Sequence, residues 1–479
     1  MATTTDASSP APPAGLDPAV AGWVESVTSG RIVRARPVDR WRPNWTVDVE
    51  TARGERALFL KFPRLPPAVV RRSVMLSTFG TAREAAALAA VQGTGVAAPE
   101  LLGLHELSGA VLVGRVGGVG VLQHLPPAVR SGLMRQYARQ LATIHDLDPD
   151  LDLGPEARAR LAAAGDGPDR PGPVAAALAD HASVTARVGR PDPLIDLAVR
   201  WLGENAPAGT ERRLLHGDAG PNQFMADGGR LTAVLDWEIA HLGDPTSDLG
   251  YTRFRECLYP SGAFGAFLAE YRAVSGRGID RAALDYFTVA AALLLVAGVA
   301  RDVQRPSAHN PEAAQRFWWD ALGRVAICEV LGARTGLLPL VWPEPVDGEL
   351  TPLSSLVTAR LAPRAAGQEL LLAHALLRAS RTRPDAAQAA DAAELLDLRD
   401  PDPARRLAAL TEMVAGPDPD VPALVTYLGR DAMRRLYAFV PLSATDTWDG
   451  PETAGPDPDG WDGDRLPALP LLPAVPDPA

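Results

Sequence analysis

Apolar and polar positions change period several times along this chain. Between residues 31 and 62 they alternate every second residue, and strands are expected over 31–35, 45–49 and 56–62. A turn at Arg53-Gly54-Glu55 separates the last two, and Pro63 stops the third. A period of two puts Ala57, Phe59 and Lys61 on one face of that strand and Leu58, Leu60 and Phe62 on the other. Residues 81–92 change to helical spacing, with Glu84 in the first turn and Gly93 as a stop. Two further strands are expected near 100–105 and 110–115, followed by a glycine-rich link, 116–120, that fits a hinge.

From about 130 to 345 the pattern is mostly helical, at 136–145, 192–202, 264–274, 282–300 and 311–331, with a hairpin interrupting it over 214–236. The apolar run 287–300 is only about two-thirds of a membrane span, so a buried helix is expected and no membrane partner. Prolines over 338–352 mark a boundary. Beyond it, 368–380, 404–414 and 423–440 have the spacing of amphipathic helices. The pattern divides the chain into a tail (1–22), a sheet-bearing lobe (23–118), a helical lobe with the hairpin (119–345), an all-α region (346–445) and a second tail (446–479). The fold class expected is α+β with an all-α extension, whose helices offer a surface for self-association or a partner.

Composition narrows the possibilities. At 479 residues, 47% hydrophobic and 22% charged, the chain has material for more than one packed core. A net charge of −11 provides no basic field for nucleic acid. Two distant cysteines suit a reducing cytoplasm, and the first residues show no signal-peptide pattern. Among 47 lysines and arginines only Lys61 is a lysine. It ends an apolar strand, where a partly buried ammonium needs an anionic partner.

The densest chemistry lies in 214–248. His216-Gly217-Asp218 forms an acidic loop, Asp227-Gly228-Gly229 a tight turn, and the returning strand ends in Asp236. Folding about the turn brings Asp218, Asn222, Gln223 and Asp236 into one small volume. Hard oxygen ligands grouped in this way suit Mg²⁺, which in turn suits phosphates. The competing explanation is a pair of turn-capping aspartates, and for Glu84 ordinary complementation of a helix dipole.

A sheet with one lysine, a helix with Glu84, a hinge, then HGD and DWE motifs resemble the aminoglycoside phosphotransferase family, of protein-kinase-like bilobal fold. The closest resemblance is to phosphotransferases related to those fused to acyl-CoA dehydrogenases. Their pattern HGDxxPxN…DWExxxxGDPxxDL is matched by His216-Gly217-Asp218, Asp236-Trp237-Glu238 and Gly243-Asp244-Pro245 through Asp248-Leu249, and Arg316-Phe317-Trp318-Trp319 is similar to a Trp-rich helix of that subgroup. The resemblance implies a small-molecule kinase moving the γ-phosphate of ATP to a hydroxyl, with a metabolic hydroxylated acid or acyl compound favoured over an antibiotic. It makes Asp218 the catalytic acid–base residue, Asp236 a Mg²⁺ ligand and Lys61 the partner of the α/β-phosphates, held by Glu84. Asn44 lines up with an Asn common near the phosphates.

The chain departs from the pattern in three places, and one of them, the lack of DFG, APE and an activation segment, argues against a protein kinase. Where the family has Asn five residues after the catalytic Asp, Gln223 stands here with Asn222 before it. Either carboxamide can reach Mg²⁺, Gln223 with one extra methylene or Asn222 after a small loop shift. The turn Arg40-Trp41-Arg42-Pro43-Asn44 has no glycine, so arginine charge replaces backbone amides there. These departures motivate the alternative of a nucleotide-binding scaffold without turnover. A cage of Phe317, Trp318 and Trp319 for a quaternary amine is a third reading. His216, Asp244, Asp248 and His145 are expected as structural braces. Arg253 and Arg255 are expected as solvated.

Overall fold

A computed structural model describes residues 15–38, 43–63, 80–120, 122, 125–150, 154–162, 192–207, 211–259, 261–304 and, within 319–334, all but 321, 325, 329, 332 and 333. The Arg40–Arg42 turn, Phe317 and Trp318, the 346–445 region with its expected association surface, and residues 1–14 and 446–479 lie outside the described residues.

The alternating segments form one antiparallel sheet. Strands β1 (Gly30–Val38), β2 (Asn44–Thr51), β3 (Gly54–Lys61), β4 (Leu101–His105) and β5 (Ala110–Gly114) pair in the order β1-β2-β3-β5-β4. In the β2–β3 register Trp45 faces Leu60, Val47 faces Leu58, and Asn44 faces Lys61. Cross-strand partners share a face, so the expected split of β3 holds. Leu58 and Leu60 pack on one side of the sheet, and Phe59 packs on the other, against the larger core.

The first side of the sheet is covered by helix α1 (Pro18–Thr28), which corrects the boundary placed at residue 22 for the N-terminal tail. Asp17 Oδ1 accepts from Ala19 N at 2.7 Å and Val20 N at 3.3 Å, and Pro18 takes the first helical position. Val20, Ala21 and Val24 then pack onto Trp45, Val47, Val49, Leu58 and Leu60. An apolar sheet face must be covered, and that requirement decides the structure of a segment whose own pattern is short and embedded in Ala and Pro.

Helix α2 (Thr81–Val91) lies on the other side of the sheet. The chain crosses to the second lobe through 116–120, where the expected hinge is pinned: Val119 N donates to Ala226 O at 2.8 Å and Ala226 N to Val119 O at 2.9 Å. The second lobe contains α3 (Pro127–Asp146), α4 (Pro155–Ala162), α5 (Pro193–Glu204), α6 (Pro245–Leu258), α7 (Phe264–Ser275) and α8 (Arg281–Gln304), with further helix within 319–334. Between α5 and α6 lie β6 (Arg213–Leu215), the hairpin β7 (Phe224–Asp227) and β8 (Arg230–Val234), a 3-10 turn (Trp237–Ile239) and β9 (His241–Gly243), which pairs with β6. Among the described residues one segment, Arg281–Ala300, is long and apolar enough to cross a membrane, and 78% of its apolar window is buried. An all-round apolar helix of this kind is at home inside a protein core.

The amphipathic docking of α1 predicts a contrast between two valines. Val24 is fully buried and Val27 is 39% exposed. Val24→Ala should lower stability by about 1–3 kcal/mol, while Val27→Ala stays within about 0.5 kcal/mol of wild type. Urea unfolding of both variants measures this, and equal, near-zero effects would return the segment to a tail.

Candidate active site

Lys61 ends β3 with its ammonium turned away from the α1 side. Lys61 Nζ donates to Glu84 Oε1 at 2.5 Å and to Asp236 Oδ1 at 2.8 Å. Glu84 is 2% exposed and Lys61 8%. A charge this deep is tolerated only when paired, which explains the lysine, its strand-end position and the glutamate in the first turn of α2. Asn44, across the ladder from Lys61, is buried, and its Oδ1 has no hydrogen-bond partner.

Asp236 is delivered by the hairpin. Phe224 pairs with Val234, and Leu235 N donates to Gln223 O at 2.8 Å, extending the ladder by one step. The chain then leaves the ladder through two left-handed residues, Asn222 at φ 65° and Asp236 at φ 61°. Asn and Asp tolerate this conformation better than other residues with a Cβ. Helix α2 is tied to the same corner, since Gly80 N donates to Glu238 O at 3.2 Å. Glu238 also attracts Arg83, whose pKa burial lowers to about 10.

The loop carrying Asp218 is held from beneath. Asp248, in the first turn of α6, accepts from His216 N and Gly217 N, both at 2.8 Å, and faces His145 Nε2 at 3.0 Å. His145 Nδ1 meets the Tyr271 hydroxyl at 2.7 Å. Burial opposes the charge of Asp248, but the hydrogen bond from His145 and the charges of His145 and His216 outweigh it and hold the carboxyl below its ordinary value. His216 Nε2 donates to Leu235 O at 2.6 Å and its ring meets Trp237 edge-on. Gly217 has φ 84°, and a Cβ there would stand 2.2 Å from Ile239 O. Asp244 caps α6 through Thr246 N at 2.7 Å. His145, His216, Asp244 and Asp248 are therefore braces, as their sequence contexts suggested.

Asp218 has two side-chain donors of its own. Gln223 Nε2 donates to Oδ2, and Arg255 Nη1 donates to Oδ1 at 2.8 Å. Burial pushes the Asp218 carboxyl up, against the pull of Arg255 and His216 and with a further upward push from Asp236. Arg255 itself is held above its ordinary value, the charge of Asp218 overcoming burial.

The expectation that Arg253 and Arg255 are solvated is overturned. Arg253 is buried against Asp285, and the side chain of Arg255 is only 12% exposed. The partner of Arg255 lies 37 residues back in the chain. Its sequence signal was the seven-residue step from Asp248, two helical turns along one face. Gln223, expected as a metal ligand, directs its amide nitrogen to Asp218, while its neighbour Asn222 has a buried Oδ1 without a hydrogen-bond partner. Trp319 donates its indole N–H to the Tyr259 hydroxyl at 3.0 Å.

Among the described residues no group of three His, Cys, Asp or Glu side chains is placed to hold a metal. A site built from one carboxylate, carboxamide oxygens, phosphate oxygens and water does not need one and fits Mg²⁺. The oxygens of Asp236, Asn222 and Gln223 at the mouth of the hairpin are such a donor set, and the unpartnered Asn222 Oδ1 is consistent with it.

Comparison with known proteins gives one decisive result. Residues 36–287, just over half of the chain, match the model of the phosphotransferase enzyme family, APH. No curated protein sequence matches. Solved structures with similar folds include macrolide 2'-phosphotransferase MphH from Brachybacterium faecium, at 21% identity and TM-score 0.42, covering 62% of this chain and 96% of that one. A thermostable mutant of aminoglycoside phosphotransferase APH(4)-Ia, in ternary complex with ADP and hygromycin B, has 17% identity and TM-score 0.42, with 64% and 98% covered. The type VIII aminoglycoside-3'-phosphotransferase has 19% identity and TM-score 0.40, with 55% and 92% covered. At these identities and overlaps the structural neighbours add nothing about activity. The family match, together with a sheet lobe and a helical lobe meeting at Lys61 and Asp236, establishes that the chain belongs to the phosphotransferase enzyme family.

Proposed function

We propose that the protein is a Mg²⁺- and ATP-dependent kinase of small molecules, transferring the γ-phosphoryl group to an acceptor hydroxyl. The observation that carries this reading is the Lys61 ammonium, buried between Glu84 of one lobe and Asp236 of the other. A compact ammonium fixed there is suited to the α/β-phosphates, with Glu84 keeping it in place. Asn44, on the neighbouring strand, lines the same end of the sheet.

In the reaction, the acceptor oxygen bonds to the γ-phosphorus, the bond from that phosphorus to the bridging oxygen of ADP breaks, and Asp218 receives the hydroxyl proton. The two oxygens of that carboxylate accept from Gln223 and Arg255. Asp236, with the carboxamide oxygens of Asn222 and Gln223, would hold Mg²⁺. The ion supplies neutralisation of the phosphate charge when bound.

The acceptor we favour is a metabolic hydroxylated acid or acyl compound. The motif resemblance to phosphotransferases related to those fused to acyl-CoA dehydrogenases favours it. The fixed guanidinium of Arg255 beside Asp218 is also a poor neighbour for a polycationic antibiotic. The chain's two cysteines, Cys257 and Cys328, lie far apart in sequence, in keeping with a cytoplasmic setting.

The test is to incubate the protein with ATP, Mg²⁺ and a metabolite extract and to search by mass spectrometry for compounds that gain one phosphoryl group. Asp218→Ala should lower kcat by about a hundredfold to ten-thousandfold and leave ATP affinity within about threefold of wild type. Nucleotide binding without any product in wild type would replace the kinase reading with a nucleotide-binding scaffold. Removing Mg²⁺ with a chelator should abolish turnover, and added Mg²⁺ should restore it. Turnover that survives chelation would refute the metal assignment.

A further inference from the structure

Helix α6 grips the Asp218 loop at two levels. Asp248 in its first turn binds the amides of His216 and Gly217. Two turns later, on the same face, Arg255 reaches the part of the loop that Asp248 does not. Its Nη1 donates to Asp218 Oδ1 at 2.8 Å and its Nε to Pro221 O at 3.1 Å. One planar fork thus joins the carboxylate to the backbone three residues on.

The fork is itself held. Cζ lies 5.3 Å from the centre of the Tyr259 ring, and the Tyr259 hydroxyl accepts from Trp319. The loop is shaped around the arginine's stem: Gly220 has φ 141°, and a Cβ there would stand 2.7 Å from Arg255 Cβ and 2.9 Å from Arg255 Cδ. Any residue larger than glycine at 220 would clash with the stem of Arg255. On the opposite side of the carboxylate, Gln223 Nε2 donates to Oδ2. Asp218 is therefore clamped between a helix-borne fork and a loop-borne amide.

We propose that Arg255 is a positioning residue for the phosphoryl transfer: it fixes the Asp218 carboxylate against the loop backbone so that the acceptor hydroxyl meets it in one orientation. The proposal rests on the kinase reading for its effect on rate, while the hold on the loop can be measured without any reaction. Charge alone does not account for the arrangement, because a lysine has no planar fork with which to join Asp218 to the Pro221 carbonyl.

Two readouts test it on the full-length protein. In R255M, which keeps an apolar stem beside Gly220, hydrogen–deuterium exchange of amides 218–223 should accelerate at least about tenfold, with exchange in α7 unchanged. The kcat should fall about tenfold to a hundredfold, KM for ATP should stay within about twofold, and R255K should recover only part of the loss. R255Q takes the place of R255M if the latter does not fold. Wild-type exchange in the loop of a folded variant overturns the proposal, and so does wild-type kcat or a loss of ATP binding in step with kcat. If the wild-type protein turns over no acceptor, the kinase reading fails, and the exchange measurement alone decides whether Arg255 holds the loop.

Discussion

The architecture depends on a buried ammonium. Lys61 closes the third strand of the sheet lobe and is held by a glutamate from α2 and by an aspartate from the hairpin of the other lobe. Removing one partner of a buried pair leaves an uncompensated charge, at a cost of roughly 3–5 kcal/mol. The Lys61–Glu84 half of the arrangement falls in that class, with both groups nearly inaccessible. Asp236 is different: its side chain is 41% exposed, so water screens that contact and it contributes little to stability. The strong half fixes the lysine to its own lobe, and the weak half leaves Asp236 open to other cations. This division of labour suits a site that must receive a charged ligand between two lobes.

The second half of the site follows the same logic with the signs reversed. Asp218 is a partly buried carboxylate, and its removal from solvent raises its pKa. A guanidinium and a carboxamide meet it, while the backbone around it is fixed by Asp248 and the buried His145–Tyr271 pair. Helix α6 therefore contributes two opposite charges to one loop, an acid to its amides and a base to its carboxylate. Both rest on a core in which Tyr137 of α3 stacks on Phe224 of β7 and Phe267 of α7.

Much of this was legible in the sequence because it is local. The alternating strands, the glycine turn at 228–229 and the motif residues lie within short windows, and the hairpin alone brings Asp236 back to Asn222 and Gln223. The lone lysine stood out against 46 arginines in a total of 47 basic residues. Helix α1 was not legible, since its apolar face is only a few residues wide and is specified by the sheet it covers. Arg255 was missed for a related reason. A helix-borne arginine looks solvated until its partner, far back in the chain, is folded against it. Gln223 shows the limit most clearly: the sequence shows a departure from the family pattern, but only the structure shows its amide nitrogen meeting Asp218.

If the Lys61–Glu84 pair forms a nucleotide site, calorimetric titration of ATP in the presence of Mg²⁺ will register its loss. The comparison is between wild type and the double variant Lys61→Met with Glu84→Gln, which removes both buried charges together and leaves neither uncompensated. Wild type should bind, and the folded double variant should bind at least about tenfold more weakly, a loss of about 1.4 kcal/mol or more. Equal affinity in the two proteins would rule out the Lys61–Glu84 pair as a nucleotide site.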